Sequence, residues 1–112
     1  MSQSNPIIFP TPIMELPKAR LSIDGSTAFV SEAEHHQVVF MHFKKKVELE
    51  EHAHEAQWGM VLEGRIDLII DGISKSFKKG DHYFIPAGIR HSAIIHAGYT
   101  DITFFNEKRF AV

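Results

Sequence analysis

Two histidines separated by one residue, His52 and His54, carry the clearest chemical signal in this sequence. Successive side chains of a β-strand point to opposite faces, so two residues at this spacing share a face and lie close together. Neutral imidazole is a common ligand of divalent metals, and such a pair provides half of a metal site. Taken alone, the pair is equally consistent with two surface histidines in the acidic stretch EEHAHE.

Further ligands would have to come from other parts of the chain. Gln57 follows His54 closely, and His91 lies far along the sequence at the end of the run PAGIRH. Strict alternation would aim Gln57 away from His54, so we expect a bulge or turn just before Gln57 that restores its direction. Glu55 is the rival ligand, but as the neighbour of His54 it should face the opposite way. Gln57 either coordinates the metal or hydrogen-bonds an imidazole. The candidate metal ligands are therefore His52, His54, Gln57 and His91.

The segments that must hold these residues are predicted to be β-strands. From residue 27 onward, about nine short runs rich in β-branched and aromatic residues follow one another, which is typical of a sandwich or barrel. Glycine-containing turn signals separate them, among them Glu63-Gly64 and Asp71-Gly72. Four prolines before this region favour an extended N-terminal arm rather than a helix. The predicted organisation is an arm over residues 1–21 and a β-barrel domain over residues 22–112.

Composition restricts the classes of function. The chain has 112 residues, of which 44% are hydrophobic and 23% charged, as expected of one globular domain. A net charge of -2 provides no basic surface, so no nucleic-acid partner is expected. No apolar run approaches the roughly 20 residues of a membrane helix, so no membrane association is expected either. The absence of cysteine excludes disulfides and thiolate ligands. Since no secretory signal is visible, a cytoplasmic location is predicted.

Two segments resemble the sequence motifs of the cupin family. Residues 52–64, HAHEAQWGMVLEG, resemble the first motif, in which HxH is followed by an acidic or amide ligand and a glycine turn. Residues 80–91, GDHYFIPAGIRH, match every fixed position of the second motif, G(x)5PxGxxH. The chain is thus similar to a small single-domain cupin of the RmlC-like, cupin_2 type. The resemblance implies an all-β fold, a double-stranded β-helix that closes into a jelly-roll barrel. Gln57 replaces the usual glutamate, and the gap that precedes it is shorter than usual.

The resemblance also implies one bound divalent metal and a small-molecule ligand. Imidazole ligands favour a transition metal or zinc, so Zn, Ni, Fe, Co, Mn and Cu are the candidates. Three neutral imidazoles and a neutral amide leave the full charge on the ion, which makes it a strong Lewis acid. The expected function is a metal-dependent enzyme, an isomerase, lyase or dioxygenase, acting on a sugar acid, an enol or a hydroxy-carbonyl compound. A non-catalytic small-molecule binding or sensor cupin is the alternative.

Within the family, the chain is similar to the small cupins of pectin and uronate breakdown. The final FFNEKRF resembles the terminal strand of that branch, and Arg109 matches a basic residue there. Thr103 stands where the uronate enzymes carry an acidic residue, which is a departure from that branch. Arg109 and Tyr83 are the candidate substrate-binding residues, because a guanidinium can bind a carboxylate bidentately and a phenol can reach a pocket. The alternatives are a solvated terminal arginine and a tyrosine that fills the core.

Apolar residues on outward faces predict a homodimer. Both faces of the strand QVVFMHF are largely apolar, whereas a strand facing solvent should alternate apolar with polar residues. Trp58 and Phe84 are predicted to point outward, because each is next to a residue expected inside the barrel. Monomers rarely expose such a patch, so we expect a twofold interface onto which the N-terminal arm can cross. The alternative is an arm that folds back over its own barrel and hides the patch.

Overall fold

The computed structural model describes residues 9–112, which form two antiparallel β-sheets and a short N-terminal helix. One sheet has five strands in the order β1-β2-β9-β4-β7, and the other has four in the order β3-β8-β5-β6. The elements of the described chain are α1 (Thr11–Met14), β1 (Ser26–Glu32), β2 (Gln37–Phe43), β3 (Val47–His52), β4 (Gln57–Glu63), β5 (Arg65–Ile70), β6 (Ile73–Lys78), β7 (His82–Ile85), β8 (His91–Ile95) and β9 (Thr100–Phe105). The prediction of an all-β jelly-roll barrel is confirmed.

The core lies between the two sheets, where alternate residues of each strand face inward. In β7 the burial alternates strictly, with Tyr83 and Ile85 buried and Phe84 exposed. Strand β8 alternates in the same way from His91 to Ile95. This period of two arises because successive side chains leave a pleated strand on opposite faces. The buried apolar residues of this cluster include Phe43, Val61, Ile66, Leu68, Tyr83, Ile85, Ala93, Ile95 and Tyr99.

The N-terminal arm differs from its prediction at one point. Thr11–Met14 forms a single helical turn that begins directly after Pro10 and contains Pro12. Proline is tolerated there because the first N–H groups of a helix have no partner within it. Beyond this turn, backbone hydrogen bonds attach residues 17–19 to β1. Residues 1–8 of the predicted arm lie outside the described residues, and the boundary between arm and barrel stays a prediction.

The outer face of the five-stranded sheet carries a row of apolar side chains. The strand register places Val38 opposite Phe104, Phe104 opposite Trp58, and Trp58 opposite Phe84. Phe84 is 57% exposed and Phe104 is 36% exposed. We call these four residues the outer apolar row. In the described part of the arm, the buried Phe9 contacts the rings of Phe29 and Phe40, beside the row on the same face of this sheet.

The same topology brings the ends of several strands together at one end of the barrel. His52, the last residue of β3, lies opposite His91, the first residue of β8. Gln57, the first residue of β4, lies opposite Phe105 at the end of β9. Residues from three separate regions of the sequence therefore meet at this end of the barrel. Within residues 9–112, no helix is long and apolar enough to cross a membrane.

Candidate metal centre

Three histidines converge at this end of the barrel. One ligand nitrogen from each of His52, His54 and His91 can be chosen so that all three lie within 4.8 Å of one another. The Nε2 atoms of His54 and His91 are 3.2 Å apart. His91 is buried, and the other two are half-buried. The structure thus brings together the three histidines that the sequence singled out, although 37 residues separate the last two.

Contrary to the sequence prediction, His54 is not directed toward the cluster by strand alternation, because it lies outside the strand. Strand β3 ends at His52, and its pairing with β8 shifts register between Leu49 and His52. His54 lies in the segment between β3 and β4, where its carbonyl oxygen accepts a hydrogen bond of 2.9 Å from the Gly88 N–H. The expected turn before Gln57 is present, with a bend at Glu55, whose side chain is exposed. Loop geometry, not strand parity, therefore directs His54 inward.

Each of the three imidazoles is oriented by a backbone carbonyl. Nδ1 donates to a carbonyl oxygen in every case, and because a carbonyl only accepts, the proton of the neutral ring must reside on Nδ1. The acceptors are the carbonyl oxygens of Glu50, Glu55 and Ile89, at 2.7, 2.8 and 2.9 Å from His52, His54 and His91 respectively. Every ring is left with an Nε2 lone pair as its free ligand atom. Such hydrogen bonds are the usual support of metal-ligating histidines.

The donor set fits a divalent metal ion. With metal–nitrogen bonds of about 2.1 Å, two neighbouring ligands of a tetrahedral or octahedral ion stand about 3.0–3.4 Å apart. The 3.2 Å separation of the Nε2 atoms of His54 and His91 lies within that range. Two unprotonated nitrogens at this distance repel each other unless a cation lies between them. The three rings are therefore arranged as ligands, and the imidazole donors suit zinc or a transition metal.

Burial keeps two of these imidazoles neutral. It lowers the pKa of both His54 and His91, and the positive charge of Arg109 lowers both further. The hydrogen bonds to the Glu55 and Ile89 carbonyls act in the opposite direction and offset part of the effect. Neutral imidazole is the form that binds a metal, so both rings remain available as ligands below the pH at which a free histidine protonates.

We expect the affinity for Zn²⁺ to stay nearly constant from pH 8 to pH 7 and to fall steeply below about pH 6. A lowered imidazole pKa means that protons compete with the metal only when the pH drops below the ordinary value of about 6.5. Calorimetric titration with Zn²⁺ between pH 5 and 8 measures this dependence. An affinity that already falls between pH 8 and pH 7 would contradict neutral imidazoles at the site.

Gln57 lies beside the histidines at the start of β4. Its amide Nε2 donates to the hydroxyl oxygen of Tyr83 at 3.3 Å. The Tyr83 ring lies against Gly59, where any Cβ atom would overlap it, so only glycine leaves space for this tyrosine. Tyr83 is 4% exposed and lines the interior. The amide therefore has one hydrogen-bond partner in the barrel wall and reaches the same cavity as the histidines.

A cavity of about 220 Å³ extends from the three histidines into the barrel. Its walls are mainly apolar, and Arg109 and Asp101 are the charged side chains that line it together with Glu50. Arg109 Nε is buried and forms no hydrogen bond with any described residue. The cavity thus combines three metal-ligand nitrogens with one guanidinium whose Nε–H is unused, a combination that can hold a small anion against a metal.

The sequence analysis did not identify two polar residues that line the cavity, Asp101 and Tyr99. Asp101 is 2% exposed and accepts a hydrogen bond of 2.7 Å from the Tyr99 hydroxyl. Burial raises the pKa of Asp101 to about 7, and the hydrogen bond from Tyr99 offsets part of that rise. The sequence did contain a signal for Asp101. Asp101, Thr103 and Phe105 occupy alternate positions of β9, so a strand that buries the large apolar Phe105 also turns Asp101 inward. An acidic residue on the inward face of a strand should have been flagged.

Two further polar residues, Glu107 and His82, are not candidate ligands. Glu107 Oε2 lies 3.7 Å from His54 Nδ1 and accepts a hydrogen bond from the Glu55 N–H at 3.1 Å. Its negative charge raises the pKa of His54 slightly against the effect of burial. His82 is exposed on β7 with its ring centroid 6.1 Å from that of Trp58, and it does not belong to the cluster.

The comparison with known families agrees with this geometry. A cupin domain model matches residues 39–105, which include all four candidate ligands and the strands from β2 to β9. The chain belongs to the cupin family. No curated protein matches the sequence.

Solved structures with the same fold include chains of similar length and one much longer chain. It superposes on an RmlC-like cupin from Shewanella frigidimarina with a TM-score of 0.74 and 26% identity, over 97% of this chain and 96% of the other. KdgF from Halomonas sp. gives a TM-score of 0.73 and 20% identity over 86% and 92% of the two chains. Oxalate decarboxylase from Bacillus subtilis, a protein with Mn(II) centres, gives a TM-score of 0.71 and 21% identity. The match covers 88% of this chain and 29% of the oxalate decarboxylase chain.

Proposed function

We propose that this cupin is a metal-dependent enzyme that acts on a small carboxylic acid, such as a sugar acid or a hydroxy-carbonyl acid. One observation supports this most strongly: Arg109, whose buried Nε–H has no hydrogen-bond partner among the described residues, lines the same cavity as three imidazoles whose Nε2 atoms are free. A carboxylate is the ligand that pairs with a guanidinium, and enol, carbonyl and hydroxyl oxygens are groups that a metal binds.

The metal is held by His52, His54, His91 and Gln57 in this proposal. All four are uncharged, so a divalent ion bound there keeps its charge and acts as a Lewis acid on a substrate oxygen. Zn, Ni, Fe, Co, Mn and Cu all suit imidazole donors. Manganese gains support from the Mn(II) centres of the oxalate decarboxylase neighbour.

Arg109 anchors the substrate carboxylate beside the metal. Its charge is close enough to His54 and His91 to lower the pKa of both imidazoles. A cavity of about 220 Å³ accommodates a small metabolite, and its apolar walls exclude competing water. The likeness to KdgF and the sequence resemblance to cupins of uronate breakdown support a sugar acid as the substrate. Thr103 argues against an identical uronate chemistry, since it is fully buried and supplies no carboxylate.

We expect galacturonate or glycolate to alter the visible absorption of the Co²⁺-loaded protein, because coordination of a carboxylate or hydroxyl oxygen changes the ligand field. Arg109→Met should weaken this binding about 10-fold to 100-fold, since a charge-assisted hydrogen bond is lost. Lys108→Met is the matched control, because it removes a neighbouring charge that points instead toward Glu32.

Galactose, which lacks the carboxylate, should bind much more weakly than galacturonate. No spectral response to either acid, or an equal response in Arg109→Met, would contradict the proposal. An acid that binds but is not consumed over prolonged incubation would favour a binding or sensor module over an enzyme.

We also propose that the protein forms a homodimer whose interface is the outer apolar row. Val38, Phe104, Trp58 and Phe84 run side by side across four strands, and two of them, Phe84 and Phe104, are exposed. A twofold axis would place this row against its own copy and remove the apolar surface from water.

A further inference from the structure

A line of hydrogen-bonding groups leads from Gln57 into the barrel. The amide Nε2 of Gln57 is 3.3 Å from the Tyr83 hydroxyl oxygen, and the Tyr99 hydroxyl donates to Asp101 Oδ2 at 2.7 Å. The two tyrosine hydroxyls are close enough to affect each other's pKa. All four side chains line the cavity that contains the three histidines. The candidate amide ligand is therefore hydrogen-bonded to one phenol, Tyr83, and the buried carboxyl group to the other, Tyr99.

The hydrogen bonds at both ends of the line have a definite direction. An ionised carboxylate only accepts, so the Tyr99 hydroxyl gives its proton to Asp101 and its oxygen is left as an acceptor. A phenol, whose ordinary pKa is about 10, keeps its single proton at pH 8. The Tyr83 oxygen accepts from the Gln57 Nε2 group, so the amide NH2 group of Gln57 faces Tyr83.

The Tyr83 hydroxyl is also held in place. Its ring lies against the backbone of β4 at Gly59, two residues after Gln57, and the space exists only because Gly59 has no side chain. The register places Gly59 opposite Tyr83, so the hydroxyl projects across β4 between Gln57 and the Asp101 end of β9. A buried aromatic ring in this slot cannot follow the amide if the amide rotates.

We propose that Tyr83 is a positioning residue that turns the Gln57 amide so that its carbonyl oxygen, rather than its NH2 group, faces the three histidines. This inference rests on the proposed metal site. An amide coordinates a metal through its oxygen, whereas the NH2 group has no lone pair to offer. An amide in the opposite orientation would deprive the site of its fourth ligand and place two donor hydrogens against the cation.

The experiment measures Co²⁺ affinity at pH 8, where Asp101 is ionised, in Tyr83→Phe made in two backgrounds. In the natural Gln57 background, Tyr83→Phe should weaken binding about tenfold, the usual effect of losing a residue that orients a metal ligand. In the Gln57→Glu background it should have no effect, because both carboxylate oxygens are ligand atoms and orientation no longer matters. Asp101→Asn is a second variant with the same expected pattern, since an asparagine NH2 group can reverse the hydrogen bonds.

The two backgrounds separate orientation from packing. Equal losses with Gln57 and with Gln57→Glu would overturn the inference, because a general core role of the phenol affects both alike. No loss in either background would overturn it as well. Thermal melting of each metal-free variant identifies any that fail to fold, and the Asp101→Asn pair then decides. A wild-type protein that binds no Co²⁺ would instead refute the proposed metal site.

Discussion

His52→Ala combined with His91→Ala is expected to reduce the metal content of the purified protein from about one ion per chain to less than about a tenth of that. The double variant removes two of the three Nε2 atoms that converge in the cavity, and His54 with Gln57 cannot hold a divalent ion against the buffer. Elemental analysis of protein purified without added metal measures the stoichiometry. Each single variant should lose most of the metal too, because two imidazoles and an amide bind far more weakly.

His82→Ala is the matched control for these variants. His82 is exposed on β7 and stacks near Trp58, so its removal should leave the metal content unchanged. Circular dichroism should show the same β-sheet spectrum in all variants, since both mutated strands keep their pairing partners. Full metal stoichiometry in the double variant would mean that the ion binds elsewhere on the protein.

Trp58→Glu should convert a dimer of ~25 kDa into a monomer of 12.7 kDa at micromolar concentration. Trp58 lies in the middle of the outer apolar row, with Phe104 on one side and Phe84 on the other. An unpaired carboxylate buried at the centre of an apolar interface costs several kcal/mol, which is enough to shift the dissociation constant by about a thousandfold or more. Light scattering or sedimentation gives the mass directly.

Ile73→Glu controls for a general effect of surface charge. Ile73 is 71% exposed, but it lies on β6 in the other sheet, so its substitution should leave the dimer intact. Dissociation by both variants would indicate an interface different from the outer apolar row. A wild-type mass of 12.7 kDa would rule out the dimer altogether.

The sequence alone was sufficient for the fold and for the identity of the clustered histidines. Alternation of apolar and polar residues reports which face of a strand is buried, and glycine-containing turns mark where strands end, so these local patterns predicted the barrel. His52, His54 and His91 were identified because the two motifs that contain them occur together in the correct order. The turn at Glu55-Ala56 followed from parity together with the expectation that Gln57 is a ligand, since an unbroken strand would have aimed the amide outward.

Only the tertiary structure decided how the site is arranged. The carbonyl groups that fix the imidazole tautomers come from positions that no side-chain pattern marks, because every residue has a carbonyl and only the folded backbone determines where it points. The sequence leaves Arg109 as either a substrate-binding residue or a solvated terminal arginine, and only the folded chain end places it in the cavity wall. The Gln57–Tyr83 hydrogen bond joins β4 to β7, and the Tyr99–Asp101 pair lies at β9, which is adjacent to β4 in the sheet although distant from it in sequence. Non-local pairing places these groups within hydrogen-bonding distance, and that pairing cannot be derived from residue types or spacing.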